Sequence, residues 1–143
     1  MTSGGAARMT SIGMRREVPG TFEAVVERVP AALEAEGMAV LTRIDVQDLL
    51  RQKLGVDFRR YRVFGACDPT IAVQALAEDL GVGVLLPCNL VVLEDLGRTV
   101  VIAVDPIRTL GASTPGMASV AAQLRMKLRR ALDALAGGAA RAG

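Results

Sequence analysis

Histidine is absent from this sequence of 143 residues, and its absence narrows the chemistry that the chain can perform. Histidine is the side chain that most often acts as a general base near neutral pH and as a metal ligand. Without it, neither a Ser-His-Asp triad nor a Cys-His pair can be assembled. Any catalysis would therefore use Cys, Asp, Glu, Lys, Arg or the single tyrosine, Tyr61.

Aromatic residues and cysteines are also scarce. Tryptophan is absent and aromatics make up 3% of the chain, against 51% hydrophobic residues, so the core must be mainly aliphatic. Two cysteines, Cys67 and Cys88, are too few for a disulfide scaffold and favour a reduced, cytoplasmic protein. Their separation excludes a CxxC motif, and without histidine the two thiols leave a zinc site two ligands short. We therefore predict no metal site.

Long apolar runs are missing, and the net charge is small. No segment approaches the roughly 20 apolar residues of a membrane helix, and the N-terminus lacks the apolar core of a signal peptide. A formal net charge of +2 is too small to indicate a nucleic-acid partner. The sequence therefore predicts a protein that binds neither membranes nor nucleic acids.

The length and the order of the elements predict one α+β domain. Small and polar residues predict a flexible N-terminal extension over 1–10 and a disordered tail over 137–143, which leaves a globular α/β domain over 11–136. The order β-α-β-α-β-α-β-β-α predicts a two-layer mixed sheet of about four or five strands with helices packed on it. Apolar residues run without a break through 91–93 and 100–102, so we expect the central strands to be covered on both faces.

Two of the predicted helices carry specific expectations. Thr21 is a good N-cap for the first, but Pro30 cannot donate a backbone hydrogen bond and predicts a kink or an early end. The second spans 45–54, and we expect Val46, Leu49 and Leu50 to point inward.

The segment Cys67-Asp68-Pro69 has the composition of a helix start, because Asp favours the N-cap and Pro the first helical position. The helix dipole there lowers a thiol pKa, whereas the Asp68 carboxylate raises it. Cys67 is thus a candidate nucleophile; the alternative is that it packs as a small apolar residue. Cys88 opens a strand after Pro87, and nothing local activates it. Beside Cys67 it would serve as a resolving thiol.

Two further segments carry candidate binding residues. Asp105-Pro106 repeats the helix-start pattern at a strand end, where α/β proteins often bind ligands, although a simple N-cap explains it equally. Arg59, Arg60 and Arg62 lie on the third predicted strand. Arg60 and Arg62 share one of its faces and could bind phosphate or carboxylate; the alternative is a solvated edge.

Three segments together resemble the bacterial and archaeal domain-of-unknown-function family 302, and they occur in the family's order: Val56–Pro69, Val82–Val92 and Thr99–Pro106. The likeness covers roughly Ile12–Leu135 and implies a small α/β domain that tends to form dimers, with no agreed activity. It also implies a shared site, because the family pattern has cysteines at Cys67 and Cys88, asparagine at Asn89 and aspartate at Asp105. Relatives often have asparagine in place of Asp68.

Three functional hypotheses follow. The first is a non-catalytic domain, forming a homodimer, that binds a small molecule or an anion at a polar site around Cys67, Cys88, Asn89 and Asp105. The second is a redox or sulfur-transfer protein in which Cys67 attacks and Cys88 resolves. The third is binding of a soft metal such as Cu(I) by the two thiols. The sequence favours the first, and it leaves open whether the chain is an enzyme and which cofactor it uses.

Overall fold

Six antiparallel strands form one open sheet in the computed structural model, which describes residues 7–141. The strands are β1 (Arg8–Met9), β2 (Gly13–Val18), β3 (Ala39–Asp45), β4 (Tyr61–Cys67), β5 (Cys88–Asp95) and β6 (Arg98–Val104), and their order across the sheet is β1-β2-β6-β5-β4-β3. The helices are α1 (Phe22–Glu34), α2 (Val46–Leu54), α3 (Pro69–Glu78), α4 (Leu110–Ser113) and α5 (Ala118–Arg141), with a 3-10 helix at Leu80–Leu85. The α+β class is confirmed. The sheet is antiparallel rather than mixed, because α2 and α3 each return the chain to the neighbouring strand in the opposite direction.

The helices build the core on one face of the sheet. Every second residue of the central strands points to this face, as the pleat requires. The largest contributors with almost no exposed surface are Met14, Phe22, Leu33, Phe64, Leu90, Leu128 and Leu132. Burying one such side chain stabilises the fold by about 1.5–3 kcal/mol, so this layer supplies most of the driving force.

The opposite face of the sheet has no helical core on it. Val63, Val91 and Ile102 are half-buried there and lie outside the core cluster. The expectation that the central strands are covered on both faces is therefore wrong for this chain by itself. The inward orientation expected for the apolar residues of α2 holds only in part: Val46 and Leu50 are half-buried, Leu49 is 43% exposed, and α2 contains no fully buried residue.

Three local features differ from the sequence expectations. Pro30 lies inside α1 without ending it, and the buried Val29 and Leu33 on either side hold that helix on the core. Residues 8–9 of the predicted extension pair with β2, and α5 continues to Arg141 through residues assigned to a tail. The remainder of both predicted ends, 1–6 and 142–143, lies outside the described residues.

Within residues 7–141, no helix has the length and apolarity needed to cross a bilayer.

Candidate ligand-binding site

Asp68 directly follows the last residue of β4 and is the N-cap of α3. Its Oδ1 accepts hydrogen bonds from the backbone N–H of Thr70 at 3.1 Å and of Ile71 at 3.2 Å. Its Oδ2 accepts a hydrogen bond from Lys127 Nζ of α5 at 2.5 Å. Burial by itself would raise the pKa of Asp68, but the Lys127 and backbone hydrogen bonds outweigh it and hold the pKa below its ordinary value. Asp68 is therefore a fully engaged structural carboxylate.

Asp105 holds the equivalent position after β6, and it is 1% exposed. Its Oδ1 accepts a hydrogen bond from the backbone N–H of Ile107 at 3.1 Å, so it caps a turn. Its Oδ2 lies 3.3 Å from Arg125 Nη2 and 3.5 Å from Arg108 Nε, yet neither contact has hydrogen-bond geometry. The charge of the Asp105 carboxylate is thus balanced by two arginines, but its Oδ2 accepts no hydrogen bond.

The two cysteines lie on neighbouring strands and are both free thiols. Ala66 is the Cα partner of Cys88, so Cys67 lies one residue beyond it. Because side chains alternate along a strand, the two thiols leave β4 and β5 on opposite faces. Burial raises the pKa of Cys88 to about 11, with a smaller contribution from Cys67. Burial also raises the pKa of Cys67, and the Asp68 carboxylate adds to that rise. Both thiols are therefore protonated near neutral pH.

A cavity of about 230 Å³ opens beside Cys88. Its walls come from the 3-10 helix, the Leu86–Pro87 segment, the start of β5, the end of β6, the α4 region and α5. Leu85, Leu110 and Leu124 are among its apolar lining residues, and Thr109 and Asn89 are polar residues in its wall. The cavity is thus a mainly aliphatic space bordered by two polar residues.

Asn89 reaches the cavity from an exposed position on the sheet face opposite the helices. Its neighbour Gly65 leaves the room for this arrangement: a Cβ on Gly65 would stand 2.3 Å from Thr42 Oγ1, 2.8 Å from Pro87 Cγ and 3.5 Å from Asn89 Oδ1. Any larger residue would push Pro87 away from the strand. Gly65 therefore supports the wall of the cavity.

The predicted site residues do not converge on one point. Cys88 and Asn89 line the cavity, whereas Cys67 and Asp105 do not, although Val104 and Pro106 on either side of Asp105 do. Arg60 and Arg62 lie near the opposite end of β5. There Arg60 is 3.9 Å from both Glu23 and Glu94, and Arg62 is 3.4 Å from Asp45. Each arginine of the predicted anion site thus already has a carboxylate neighbour.

Thr109 and the leucines of the cavity wall were not anticipated from the sequence. The only signal near Thr109 was Asp105-Pro106, which marks a turn at a strand end. Leu110 and Leu124 look like ordinary core residues in sequence, because their apolar character serves packing and a cavity wall equally well. Among residues 7–141, no group of three or more His, Cys, Asp or Glu side chains lies close enough together to hold a metal ion.

Comparison with known proteins gives a family match and a structural match. The model of the family described as "Domain of unknown function DUF302" matches residues 14–135. The crystal structure of an uncharacterized conserved DUF302 protein from Bacillus stearothermophilus is 30% identical in sequence, with a TM-score of 0.82 over 88% of this chain and 99% of that chain. No curated protein matches the chain.

Proposed function

The chain belongs to the DUF302 family, and we propose that it is a non-catalytic domain that binds a small, mainly apolar molecule in the cavity beside Cys88 and Asn89. The observation that carries the proposal is the cavity itself. The space is a cleft at the surface, since Val84 in its wall is 87% exposed, and a concave, mainly apolar space of about 230 Å³ with a few polar residues in its wall has the character of a small-molecule site.

The size and lining of the cavity define the ligand class. A dry apolar cavity of about 150 Å³ is enough to bind benzene, and drug-sized ligands occupy about 300–1,000 Å³. A cavity of about 230 Å³ fits a molecule between those limits. The hydroxyl of Thr109 and the amide of Asn89 would orient one hydroxyl or carbonyl group on that molecule.

The available side chains support binding rather than catalysis. The chain has no histidine, and the thiol of Cys88, the titratable side chain in the cavity wall, has a pKa of about 11. A thiol with that pKa is neither a nucleophile nor a base at neutral pH. Cys88 then acts as a small apolar part of the wall.

Benzyl alcohol is a suitable probe, since it combines an apolar ring with one hydroxyl group. Titration of the full chain, followed by amide resonances in NMR, is expected to give saturable shifts at Cys88, Asn89, Thr109 and Leu110. Leu86→Phe places a larger side chain in the cavity wall and is expected to abolish these shifts. Leu80→Phe is the matched control, because Leu80 is 85% exposed on the adjacent 3-10 helix and does not line the cavity.

The same titration also shows how the proposal would fail. Shifts that do not saturate, or that persist unchanged in Leu86→Phe, would mean that the cavity is not a binding site. Asn89→Ala provides a graded result: it keeps the cavity but removes one hydrogen-bonding group, so affinity for benzyl alcohol is expected to fall by about tenfold while affinity for benzene stays the same.

The second candidate function uses the thiols. It is favoured by the position of Cys67 and Cys88 at adjoining ends of neighbouring strands, and disfavoured by the opposite faces on which the two thiols lie. Redox or sulfur-transfer chemistry would begin with attack by the Cys67 thiolate, and soft-metal binding would need both thiols. The raised pKa values weigh against it. Alkylation of native protein from pH 5 to 9, read by mass spectrometry, tests the thiol chemistry: a reactive Cys67 with an apparent pKa well below that of a free thiol would favour it. Uptake of Cu(I) under reducing conditions would favour the metal hypothesis.

The homodimer that the family resemblance implies is part of the same proposal. The cytoplasmic location and the anion site at Arg60 and Arg62 stay predictions. A phosphate titration followed at the amides of Arg60 and Arg62 tests the anion site, and the carboxylates beside those arginines lead us to expect no saturable shift.

A further inference from the structure

The wall of the cavity has a fixed part and an exposed part. The fixed part comes from the sheet, α4 and α5, and three of its residues, Cys88, Leu110 and Leu124, are at most 7% exposed. The exposed part belongs to one continuous segment, Leu80–Leu86, which we call the outer segment; it consists of the 3-10 helix and the residue after it. Val84 of this segment lines the cavity and is nonetheless 87% exposed. One side of the cavity is therefore formed by a piece of chain at the molecular surface.

The outer segment is attached to the rest of the fold at its two ends. Asp79 marks the first end, since its Oδ1 accepts a hydrogen bond from the backbone N–H of Gly81 at 2.8 Å. Pro87 marks the second end, where its ring packs against β4 at Gly65. The 3-10 helix between these ends packs mainly on α3, which directly precedes it along the chain. Few packing interactions thus oppose a displacement of this helix relative to the sheet.

The backbone between the two ends can change conformation at a low cost in free energy. Of the six residues of the 3-10 helix, Val82 alone is buried, and Leu80 is 85% exposed. Gly81 and Gly83 both lie in this helix, and a Cβ on Gly83 would meet no atom within 4 Å, so close packing does not require glycine there. Glycine adopts more backbone conformations than any other residue. Helices of the 3-10 type are uncommon beyond about three or four residues, because their hydrogen-bond geometry is poor.

The outer segment is entirely apolar, although part of it is exposed. Residues 80–86 read Leu-Gly-Val-Gly-Val-Leu-Leu. If Val84 moved inward over an apolar molecule in the cavity, apolar surface of both would be removed from water, which is favourable. Without such a molecule the same movement removes less apolar surface. The free energy of closing the segment therefore depends on whether a ligand is bound.

We propose that the outer segment is a lid, which closes over the cavity when a small apolar molecule binds and carries Val84 inward to cover it. Asp79 and Pro87 stay in place as the ends of the lid, and the backbone changes conformation around Gly81 and Gly83. A closed lid excludes water from the site and retains the ligand. This inference rests on the ligand binding in the proposed function, and it adds that the site closes.

A cyclohexanol titration of the full chain, followed by amide resonances in NMR, tests the lid. Cyclohexanol carries one hydroxyl group, as benzyl alcohol does, but it has no aromatic ring current to shift distant resonances. Thr109 and Leu110 lie in the fixed part of the wall and report on binding. Gly81 and Gly83 belong to the lid but do not line the cavity, so contact with the ligand does not account for shifts at their amides. We expect saturable shifts at both glycines, with the same dissociation constant as at Leu110.

The two sets of amides distinguish failure of the lid from failure of the binding site. Saturable shifts at Thr109 and Leu110 with none at Gly81 and Gly83 would mean that the cavity binds ligands with a rigid wall. That result would overturn the lid and leave the proposed function intact. The absence of saturable shifts at all four amides would contradict both.

Substitutions at two exposed positions of the lid provide a second test. Val84→Asn is expected to lower the affinity for cyclohexanol by about tenfold, because closure would bury an amide without a hydrogen-bond partner. Leu80→Asn is the matched control: Leu80 is equally exposed but does not line the cavity, so its affinity is expected to equal that of the wild type. Val84→Ile keeps an apolar side chain and is expected to bind within about twofold of the wild type.

Each of these variants is expected to fold, since Leu80 and Val84 are 85% and 87% exposed, and far-UV circular dichroism checks it. Equal affinities in Val84→Asn and Leu80→Asn, whether both lowered or both unchanged, would overturn the lid. Its closure requires an apolar side chain at Val84 and makes no such demand at Leu80.

Discussion

Asp68 and Asp105 occupy the same local setting, and the structure uses them differently. Each follows the last residue of a strand, precedes a proline, is buried, and caps the chain that follows. Both carboxylate oxygens of Asp68 accept hydrogen bonds from N–H groups, including one from an ammonium at 2.5 Å. Asp105 keeps an oxygen that accepts no hydrogen bond, although two guanidinium groups lie within 3.5 Å.

The difference comes from α5, which supplies a cation to each carboxylate. Lys127 ends in a compact ammonium that can turn to meet Asp68, whereas Arg125 presents a planar group whose Nε is also left without a partner. The local sequence around each aspartate thus determines the helix cap. A residue of α5, about 20 or more positions further along the chain, determines how strongly the second carboxylate oxygen stabilises the fold.

The largest expected difference between the two sites is in alanine variants. Asp68→Ala removes two backbone hydrogen bonds and the Lys127 pair, so it is expected to lower the free energy of unfolding by about 2–3 kcal/mol. Asp105→Ala removes one cap and leaves two arginines that reach solvent, and about 1 kcal/mol is expected. Urea unfolding measures both. Equal losses would show that the extra hydrogen bonds of Asp68 contribute nothing net.

Asparagine variants isolate the charge from the cap, because asparagine caps helices as well as aspartate does. Asp68→Asn is expected to cost about 1–2 kcal/mol through the lost charge-assisted bond to Lys127. Asp105→Asn is expected to cost less than half of that, since its ion pairs lack hydrogen-bond geometry.

A double-mutant cycle with Lys127→Met checks where the asparagine effect originates. In that background Asp68→Asn is expected to have little effect on the free energy of unfolding. If Asp68→Asn destabilised the Lys127→Met protein as much as the wild type, the loss of stability would not come from the contact with Lys127. Arg125→Met with Asp105→Asn is the corresponding cycle at the other site, and we expect a smaller coupling there.

The stabilising effect of Asp68 is expected to depend on pH. Its pKa is lowered in the folded chain, so its contribution is present above the unfolded pKa of about 3.9 and is lost as the pH falls through the folded pKa. The difference in unfolding free energy between the wild type and Asp68→Asn should therefore be constant near neutral pH and shrink below about pH 4. Urea titrations at several pH values measure it, and a difference that grew on acidification would contradict the lowered pKa.

Much of the fold could be predicted because local patterns carry it. The caps at Thr21 and Asp68, the left-handed Gly55 after α2 and the hairpin around Gly97 all occur where the sequence indicates them. The strand count and directions could not be predicted, since they depend on which strands pair over long distances. The partial exposure of α2 was missed for a related reason: an apolar stripe predicts that a face is buried, but it does not say whether the cover comes from the same chain.

The candidate site was only partly predictable. Cys88 and Asn89 were placed correctly beside a strand start, and both line the cavity. The cavity also depends on Thr109 and Leu124, whose approach to β5 is a matter of tertiary packing. Arg60 was a candidate for binding an anion, with a solvated edge as the alternative, and Glu23 and Glu94, both distant in sequence, lie 3.9 Å from it. Spacing along the chain gives no information about such partners.

The smallest expected effect concerns the residue that precedes each aspartate, a cysteine at one site and a valine at the other. Burial is the main reason that the pKa of Cys67 is raised, and the Asp68 carboxylate adds to it. Asp68→Asn is therefore expected to lower the pKa of Cys67 and to increase its alkylation by iodoacetamide at pH 8 by about two- to threefold. Cys88 serves as the internal control, because its burial keeps it slow in both proteins. Asp105→Asn should leave the rate at Cys67 unchanged. An unchanged rate in Asp68→Asn, read by mass spectrometry of the native protein, would mean that burial alone protects this thiol.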